Sequence, residues 1–161
     1  MSGTERRSSP RIYWDTNVFI ETFEGPSHRR AGLTALLLSG WRAPQPIFAT
    51  SELTLAELLV APIEARNDEL IQLYESWTLP NRHMDVVPVS RSILRNAALL
   101  RALNKSLKLP DAIHLASAKA ARCAQFLTCE RRLNGDYGVE VLVLTDDVLD
   151  ELGRRYPFAP I

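Results

Sequence analysis

Residues 11–23 read RIYWDTNVFIETF, and this stretch decides the fold. Arg11–Trp14 is a short β-rich run that stops at Asp15. Thr16–Phe23 then takes helical spacing, and Gly25-Pro26 ends it. A strand that passes into a helix through a single acid is the opening half of a β-α-β unit. The same alternation recurs along the chain. Ser27 is expected to cap a helix over His28–Ser39, and Pro46–Ala49 to form a second strand. Ser51 caps a helix to about Ala61, before Pro62, and Glu64–Trp77 follows as another. Val86–Val89 is a third strand, whose internal Pro88 places it at a sheet edge. Ser90 caps a helix over Arg91–Asn104, and Pro110-Asp111 open one to about Arg122. Gln125–Thr128 and Val141–Leu144 are the last strands. Asp146–Arg155 is a final helix, with acids in its first turn and arginines in its last. This order predicts an α/β fold: a central parallel sheet, right-handed crossovers and helices on both faces. Sites in such sheets lie outside the carboxyl ends of the strands.

The chain has 161 residues, 46% hydrophobic and 24% charged, the proportions of one soluble globular domain. Residues 1–10 are expected to be a flexible polar tail, and 11–161 the domain. Nineteen basic and 19 acidic side chains cancel, so a strongly basic nucleic-acid binder is not indicated, though a local basic face is allowed. Cys123 and Cys129 alone make neither a disulfide framework nor a zinc site, and no run is apolar enough for a membrane span. A cytoplasmic protein is expected.

The chemistry lies in the acids. Asp15 stands at the end of the first strand, as a helix cap or as a site carboxylate. Glu57 interrupts the apolar run LTLAELLVA, where Leu53, Thr54, Val60 and Ala61 are expected on its helix face. A carboxylate there is costly unless paired or metal-bound. Asp111 opens the pattern DAIH, in which His114 reads as a structural hydrogen-bonder rather than a ligand. Glu130 follows the strand Gln125–Thr128. Its neighbour Cys129 has no histidine and asparagine arrangement to make it a nucleophile. Three of these acids are expected at one edge of the sheet and the fourth, Glu57, on an apolar helix; four such carboxylates repel one another, and a hard divalent cation, Mg²⁺ or Mn²⁺, relieves that repulsion. An aspartyl-phosphate chemistry at Asp15 would want a second acid two residues on, where Asn17 stands.

The segments IYWDTNVFIE (12–21), ATSELTLAELLVAP (49–62), KLPDAIHLASA (108–118) and FLTCERRLNGDYGVEVL (126–142) resemble, in order and spacing, the PIN-domain ribonucleases, in particular VapC-type toxins of toxin–antitoxin pairs. The resemblance implies a PIN-like α/β/α sandwich and a Mg²⁺-dependent endoribonuclease. Asp15, Glu57 and Asp111 match the three main acids. Ser51 or Thr54 matches a hydroxyl position, and Asn17 a polar one. Family members usually carry Thr-Asn-Asp where this chain has Thr128-Cys129-Glu130. Glu130 is then the fourth catalytic acid with a longer stem, and Asp136 a substitute for it. The departure motivates an alternative: an impaired PIN domain that only binds RNA or protein.

For the RNA itself, Arg91, Arg95, Arg101 and Lys105 fall within a 120° arc on one helix, with Ile93, Ala97, Leu100 and Leu103 opposite. This is a candidate RNA-backbone face, to which Arg131 and Arg132 could add. The resemblance also implies a cognate antitoxin, seated on apolar residues from among Phe19, Phe23, Leu33, Leu36, Leu37 and Trp41, and a homodimer.

Overall fold

The structure, a computed structural model, describes residues 10–157. Residues 1–9 of the expected tail lie outside that range. Pro10 is described, and its carbonyl accepts a hydrogen bond from the Tyr156 hydroxyl at 2.8 Å.

Five strands form one sheet: β1 (Ile12–Trp14), β2 (Phe48–Ser51), β3 (Met84–Val87), β4 (Gln125–Thr128) and β5 (Glu140–Val143). Their order is β3-β2-β1-β4-β5, and every pairing is parallel. Seven α-helices are present among the described residues: α1 (Thr16–Glu24), α2 (Ser27–Ser39), α3 (Glu52–Glu64), α4 (Asp68–Trp77), α5 (Arg91–Leu103), α6 (Leu109–Ala120) and α7 (Asp146–Arg155). The expected α/β/α sandwich with a parallel sheet is the observed architecture.

Two cores follow from the two-residue period of the strands. Ile12 and Trp14 of β1, Phe48 and Leu127 face one side, packed on Val18, Phe19, Leu33, Leu37, Tyr74 and Leu149 from α1, α2, α4 and α7. Tyr13, Ala49 and Phe126 face the other side, against Ile93, Ala97, Leu115 and Ala116 of α5 and α6. All three β1 residues are fully buried, because β1 is the central strand and is covered on both faces. Among the described residues no helix is long and apolar enough to cross a membrane.

Several boundaries differ from expectation, each for a local reason. Strand β2 lies two residues later than Pro46–Ala49, in the register that pairs Phe48 with Ile12. Strand β3 is at the sheet edge as expected but ends at Val87, so Pro88 lies just beyond it. Pro26, not Ser27, holds the N-cap position of α2, without a side-chain cap. Helix α3 runs through Pro62 to Glu64. A proline in the last turn sacrifices only one helical bond. The real stop is Arg66, at φ 51°, after which Asn67 N–H returns to the Pro62 carbonyl at 2.9 Å. The helix expected from Glu64 therefore starts at Asp68.

Candidate acidic site

The chain leaves β1 toward β2 and β3 and later crosses to β4 and β5 on its other flank. The reversal opens a crevice at the carboxyl ends of β1 and β4. Asp15 closes β1 there, its N–H on the Leu127 carbonyl at 3.0 Å. Its two oxygens do different work. One accepts from Thr16 N–H at 2.8 Å and caps α1. The other accepts from the Thr128 hydroxyl, at the end of β4, at 2.6 Å. Cap and site residue are therefore one role, and the N-terminus of α1 adds its partial positive charge beside a buried carboxylate.

Thr128 also ties the following loop. Its Oγ1 accepts from Asn17 Nδ2 at 3.2 Å and from Glu130 N–H at 3.0 Å. Asn17 Oδ1 accepts from Cys129 N–H at 2.9 Å. Asn17 thus clamps residues 128–130 against α1. Cys129 is half-buried, and burial, followed by the charges of Glu21 and Asp15, pushes its thiol up to about 11. It is no thiolate nucleophile at neutral pH.

Helices α3 and α6 bring the second pair of acids. His114 sits one turn after Asp111 on α6 and is 1% exposed. Its Nε2 lies 2.6 Å from Glu57 Oε2 and 3.8 Å from Asp15 Oδ1, which brings the two carboxylates to one imidazole. The Thr16 hydroxyl donates to the same Glu57 oxygen. Burial works against the charge on Glu57, but the hydrogen bonds from His114 and Thr16 outweigh it and hold its pKa below the ordinary value. Glu57 is at the margin of α3, not within an apolar face. The buried stripe is Thr54, Leu58 and Pro62, and Val60, expected beside Glu57 on a buried face, is 56% exposed.

Asp111 is in the first turn of α6. Burial first, then the charge of Asp15, raises its pKa; Glu130 adds to the rise, while His114 and Lys108 oppose it. Asp111 and Glu130 line one cleft of about 150 Å³ with Lys108, Arg132 and Tyr137. Glu130 is held by Arg132, which donates from its backbone N–H (3.1 Å), Nε (3.0 Å) and Nη2 (2.9 Å). Those bonds lower the Glu130 pKa to about 2.

The donor set decides what could bind here. Asp15 and Asp111 are hard oxygen donors that repel each other at one edge, which suits a Mg²⁺- or Mn²⁺-like ion that takes one or two carboxylates and keeps its waters. Among the described residues no three acids, histidines or cysteines are gathered as a ready-made cage. Glu57 is engaged by His114 and Thr16, and Glu130 by Arg132.

Other expected residues are placed differently. Ser51 caps α3 through Leu53 N–H at 3.1 Å, and Thr54 bonds to Thr50 at 2.8 Å. Asp136 accepts from Gly138 N–H at 3.0 Å within a turn. Arg91, Arg95, Arg101 and Lys105 are all exposed, but α5 ends at Leu103, so Lys105 is beyond the helix. Arg101 donates to the Leu107 carbonyl at 3.1 Å. Leu103, expected on the packed side, is 74% exposed, because it is the helix's last residue. Phe19, Leu33, Leu36 and Leu37 are core, whereas Trp41 is exposed. Sequence reading did not single out Tyr13, Thr16 or the pairing of Arg132 with Glu130. The signals were a strand residue two before Asp15, a hydroxyl beside it, and a basic residue two after Glu130.

Comparison with known proteins agrees with this architecture. The PIN domain family profile matches residues 12–135. No curated protein matches the chain. Among solved structures, a toxin–antitoxin complex from Klebsiella pneumoniae is similar with TM-score 0.59 and 27% identity, over 81% of this chain and 95% of that one. VapBC2 from Rickettsia felis bound to a DNA fragment from its promoter gives TM-score 0.60 and 16% identity, over 81% and 96%. FitAcB from Neisseria gonorrhoeae gives 0.58 and 19%, over 81% and 96%. The last two likenesses speak to the fold alone.

Proposed function

The chain belongs to the PIN domain family, and on that premise we propose that it is a divalent-metal-dependent endoribonuclease, the toxin half of a toxin–antitoxin pair. The observation that carries the reading is the approach of Asp15 and Glu57, from β1's end and α3, to one histidine nitrogen beside the β1/β4 crevice. Asp111 and Glu130 line one cleft with Lys108 and Arg132.

Asp15 and Asp111 would hold the cation, Mg²⁺ or Mn²⁺. Bound there, such an ion neutralises charge at a phosphate and makes its water a nucleophile near neutral pH. The protein's own groups do the rest. Thr128 and Thr16 aim Asp15 by donating to its two oxygens. Glu57 is ionised with Oε2 occupied, so Oε1 is its open acceptor for a water proton. Lys108 and Arg132 flank the cleft and can take the negative charge of RNA backbone beside the scissile bond. Arg91, Arg95, Arg101 and Lys105 extend that basic track along and just past α5. A cytoplasmic location is part of the same reading.

The matched toxin–antitoxin complex from Klebsiella pneumoniae supports a cognate antitoxin as partner. Its seat would be the groove of about 730 Å³ between α1, α2 and α4, lined by Phe23, Ala31, Ala35, Leu38 and Leu73. A homodimer is part of the same reading. The second reading, a PIN domain that binds RNA without cutting it, is favoured by one feature: Glu130 is committed to Arg132.

The test is incubation of the purified chain with total RNA, with Mg²⁺ and with excess EDTA, beside Asp15→Asn. Cleavage is expected only for wild type with metal. Undiminished cleavage in EDTA, or by Asp15→Asn, overturns the metal mechanism. RNA binding without cleavage under every condition selects the second reading.

A further inference from the structure

Phe19, Leu33, Leu36 and Leu37 are buried, but Trp41 is 54% exposed, and it does not line the groove between α1, α2 and α4. A single 3-10 turn, Gly40–Arg42, carries it from the end of α2 toward β2. A Cβ at Gly40 would lie 3.1 Å from the Phe48 ring and 3.5 Å from His83 Cβ, so glycine lets this turn sit close on the sheet. There the indole rests on the His83 imidazole, with ring centroids 4.7 Å apart and planes 35° from parallel. His83 is fixed in turn. Asn81 Oδ1 accepts from the backbone N–H of His83 at 2.8 Å and of Met84 at 3.0 Å, and Asn81 N–H returns to the Met84 carbonyl at 3.1 Å. The result is a large ring backed by a second ring and open to solvent.

The surroundings of this ring are cationic. Arg42 follows Trp41 and Arg82 precedes His83; both are exposed, and neither takes part in an ion pair among the described residues. Burial lowers the His83 pKa and the charge of Arg82 adds to that, so this guanidinium is felt at the imidazole. The two loops, Gly40–Ile47 and Leu79–His83, contain no acid. Asp85, two residues after His83, is taken by Arg11 at 2.8 Å. Beside Arg42 opens a cavity of about 620 Å³ to which Arg11 and Arg155 contribute, with no acid among its described lining residues. All of this lies at the amino ends of β1, β2 and β3, the pole of the sheet opposite Asp15.

Apolar exposure alone would suit a protein partner. A ring flanked by unpaired cations suits a ligand that offers flat π faces and regular negative charges together, and single-stranded nucleic acid is that ligand. In a duplex the base faces are covered by one another. We propose that Trp41 is a stacking platform for one base of single-stranded RNA, with Arg42 and Arg82 on neighbouring phosphates, an anchor at the opposite pole of the sheet from the acids. RNA is named on the reading that it is the substrate; the platform itself needs neither metal nor cleavage. The strands between are three or four residues long, roughly 10–13 Å, so the anchor acts on binding rather than on chemistry.

The test is fluorescence anisotropy of a labelled single-stranded RNA of about 12 nucleotides with the full-length chain in EDTA. Trp41→Ala is expected to weaken binding roughly 5–150-fold, the worth of one stacked base, and Trp41→Phe, which keeps a π face, to weaken it less. Annealed to its complement, the same RNA should bind wild type and Trp41→Ala equally. Bound single strand should quench indole emission in wild type and not in Trp41→Phe, since Trp14 is fully buried and Trp77 packs on Phe23. Arg42→Gln combined with Arg82→Gln should reduce the slope of log affinity against log salt by about 1.4, as for two single-strand phosphate contacts. Unchanged single-strand affinity in Trp41→Ala overturns the proposal and leaves the patch to a protein partner. An equal loss on the duplex, or a quench that survives in Trp41→Phe, also overturns it. If Trp41→Ala does not fold, the quench and the salt slope decide. Cleavage in Mg²⁺ with no role for Trp41 in binding overturns this proposal alone; Trp41-dependent binding without cleavage overturns the nuclease reading alone.

Discussion

Replacing Thr128 by valine keeps shape and volume and removes one hydroxyl. That hydroxyl is fully buried and makes three bonds: to Asp15 Oδ2 at 2.6 Å, from Asn17 Nδ2 at 3.2 Å and from Glu130 N–H at 3.0 Å. A hydrogen bond to a charged group is worth about 1.5–3 kcal/mol, and a buried partner left unpaired adds its own desolvation cost. The expected loss for Thr128→Val is therefore about 3 kcal/mol. At roughly 2–4 °C per kcal/mol for a chain of this size, Tm should fall by about 6–12 °C. Thr128→Ser is the control: it keeps the hydroxyl and loses one methyl, about 1 kcal/mol. Urea unfolding followed by far-UV circular dichroism, in EDTA at pH 7, gives both values, with m expected to stay constant. A valine variant no less stable than the serine variant would refute the reasoning, since the hydroxyl would then not be what holds Asp15.

Asp111→Asn should raise Tm at neutral pH in metal-free buffer. The folded pKa of Asp111 lies above its ordinary value, so its charge opposes folding above that pKa and not below the unfolded value of about 4. Melts at pH 3 should show no gain, and a gain equal at both pH values would refute the charge argument. Glu130→Gln should reduce single-turnover RNA cleavage less than Asp15→Asn does, because Glu130 is held by Arg132 while Asp15 is aimed by Thr16 and Thr128 at the end of β1. Glu130→Asp should be tolerated. Equal inactivity of Glu130→Gln and Asp15→Asn over a Mg²⁺ titration would make Glu130 a core acid. Neutralising Arg91, Arg95 and Lys105 together should weaken RNA binding uniformly across sequences and flatten its salt dependence. Unchanged affinity and salt slope in a filter-binding assay would leave these residues as solvated surface.

The sequence carried the architecture because the strand and helix periods were unambiguous around Asp15, Ser90 and Gln125, and because Pro88 marked the sheet edge. Periodicity could not foresee that Pro62 is tolerated in a last turn, since that depends on where a helix stops, and the stop is set by the backbone of Arg66. The acids were legible as residue types at strand ends and helix starts. Their partners were not. His114 read as a structural hydrogen-bonder, and so it is, but that its bond joins Tyr13 to Glu57 is a fact of three elements packing together. Likewise the charge on Glu130 was plain, while its capture by Arg132 depends on the turn that folds residue 132 back on residue 130. Local chemistry was readable from one window of sequence; pairings across windows were not.

The central place of β1 also governs when the crevice can exist. Asp15 waits for a hydroxyl 113 residues downstream, and Tyr13 for an imidazole 101 residues downstream. Contacts of such separation form late, since the entropy of closing the intervening loop comes before any gain from the contact. On the ribosome, β1 can pair with β2, and β2 with β3, once residue 87 has emerged, but the other edge of β1 stays open until β4 appears at residue 125. A nascent chain short of that point shows one unpaired edge of an apolar strand, the kind of edge that invites aggregation. It also has Asp15 without the Thr128 hydroxyl that aims it. The acidic cleft is therefore born with the last third of the chain, and a translation product cut off before β4 is a folding hazard without that cleft.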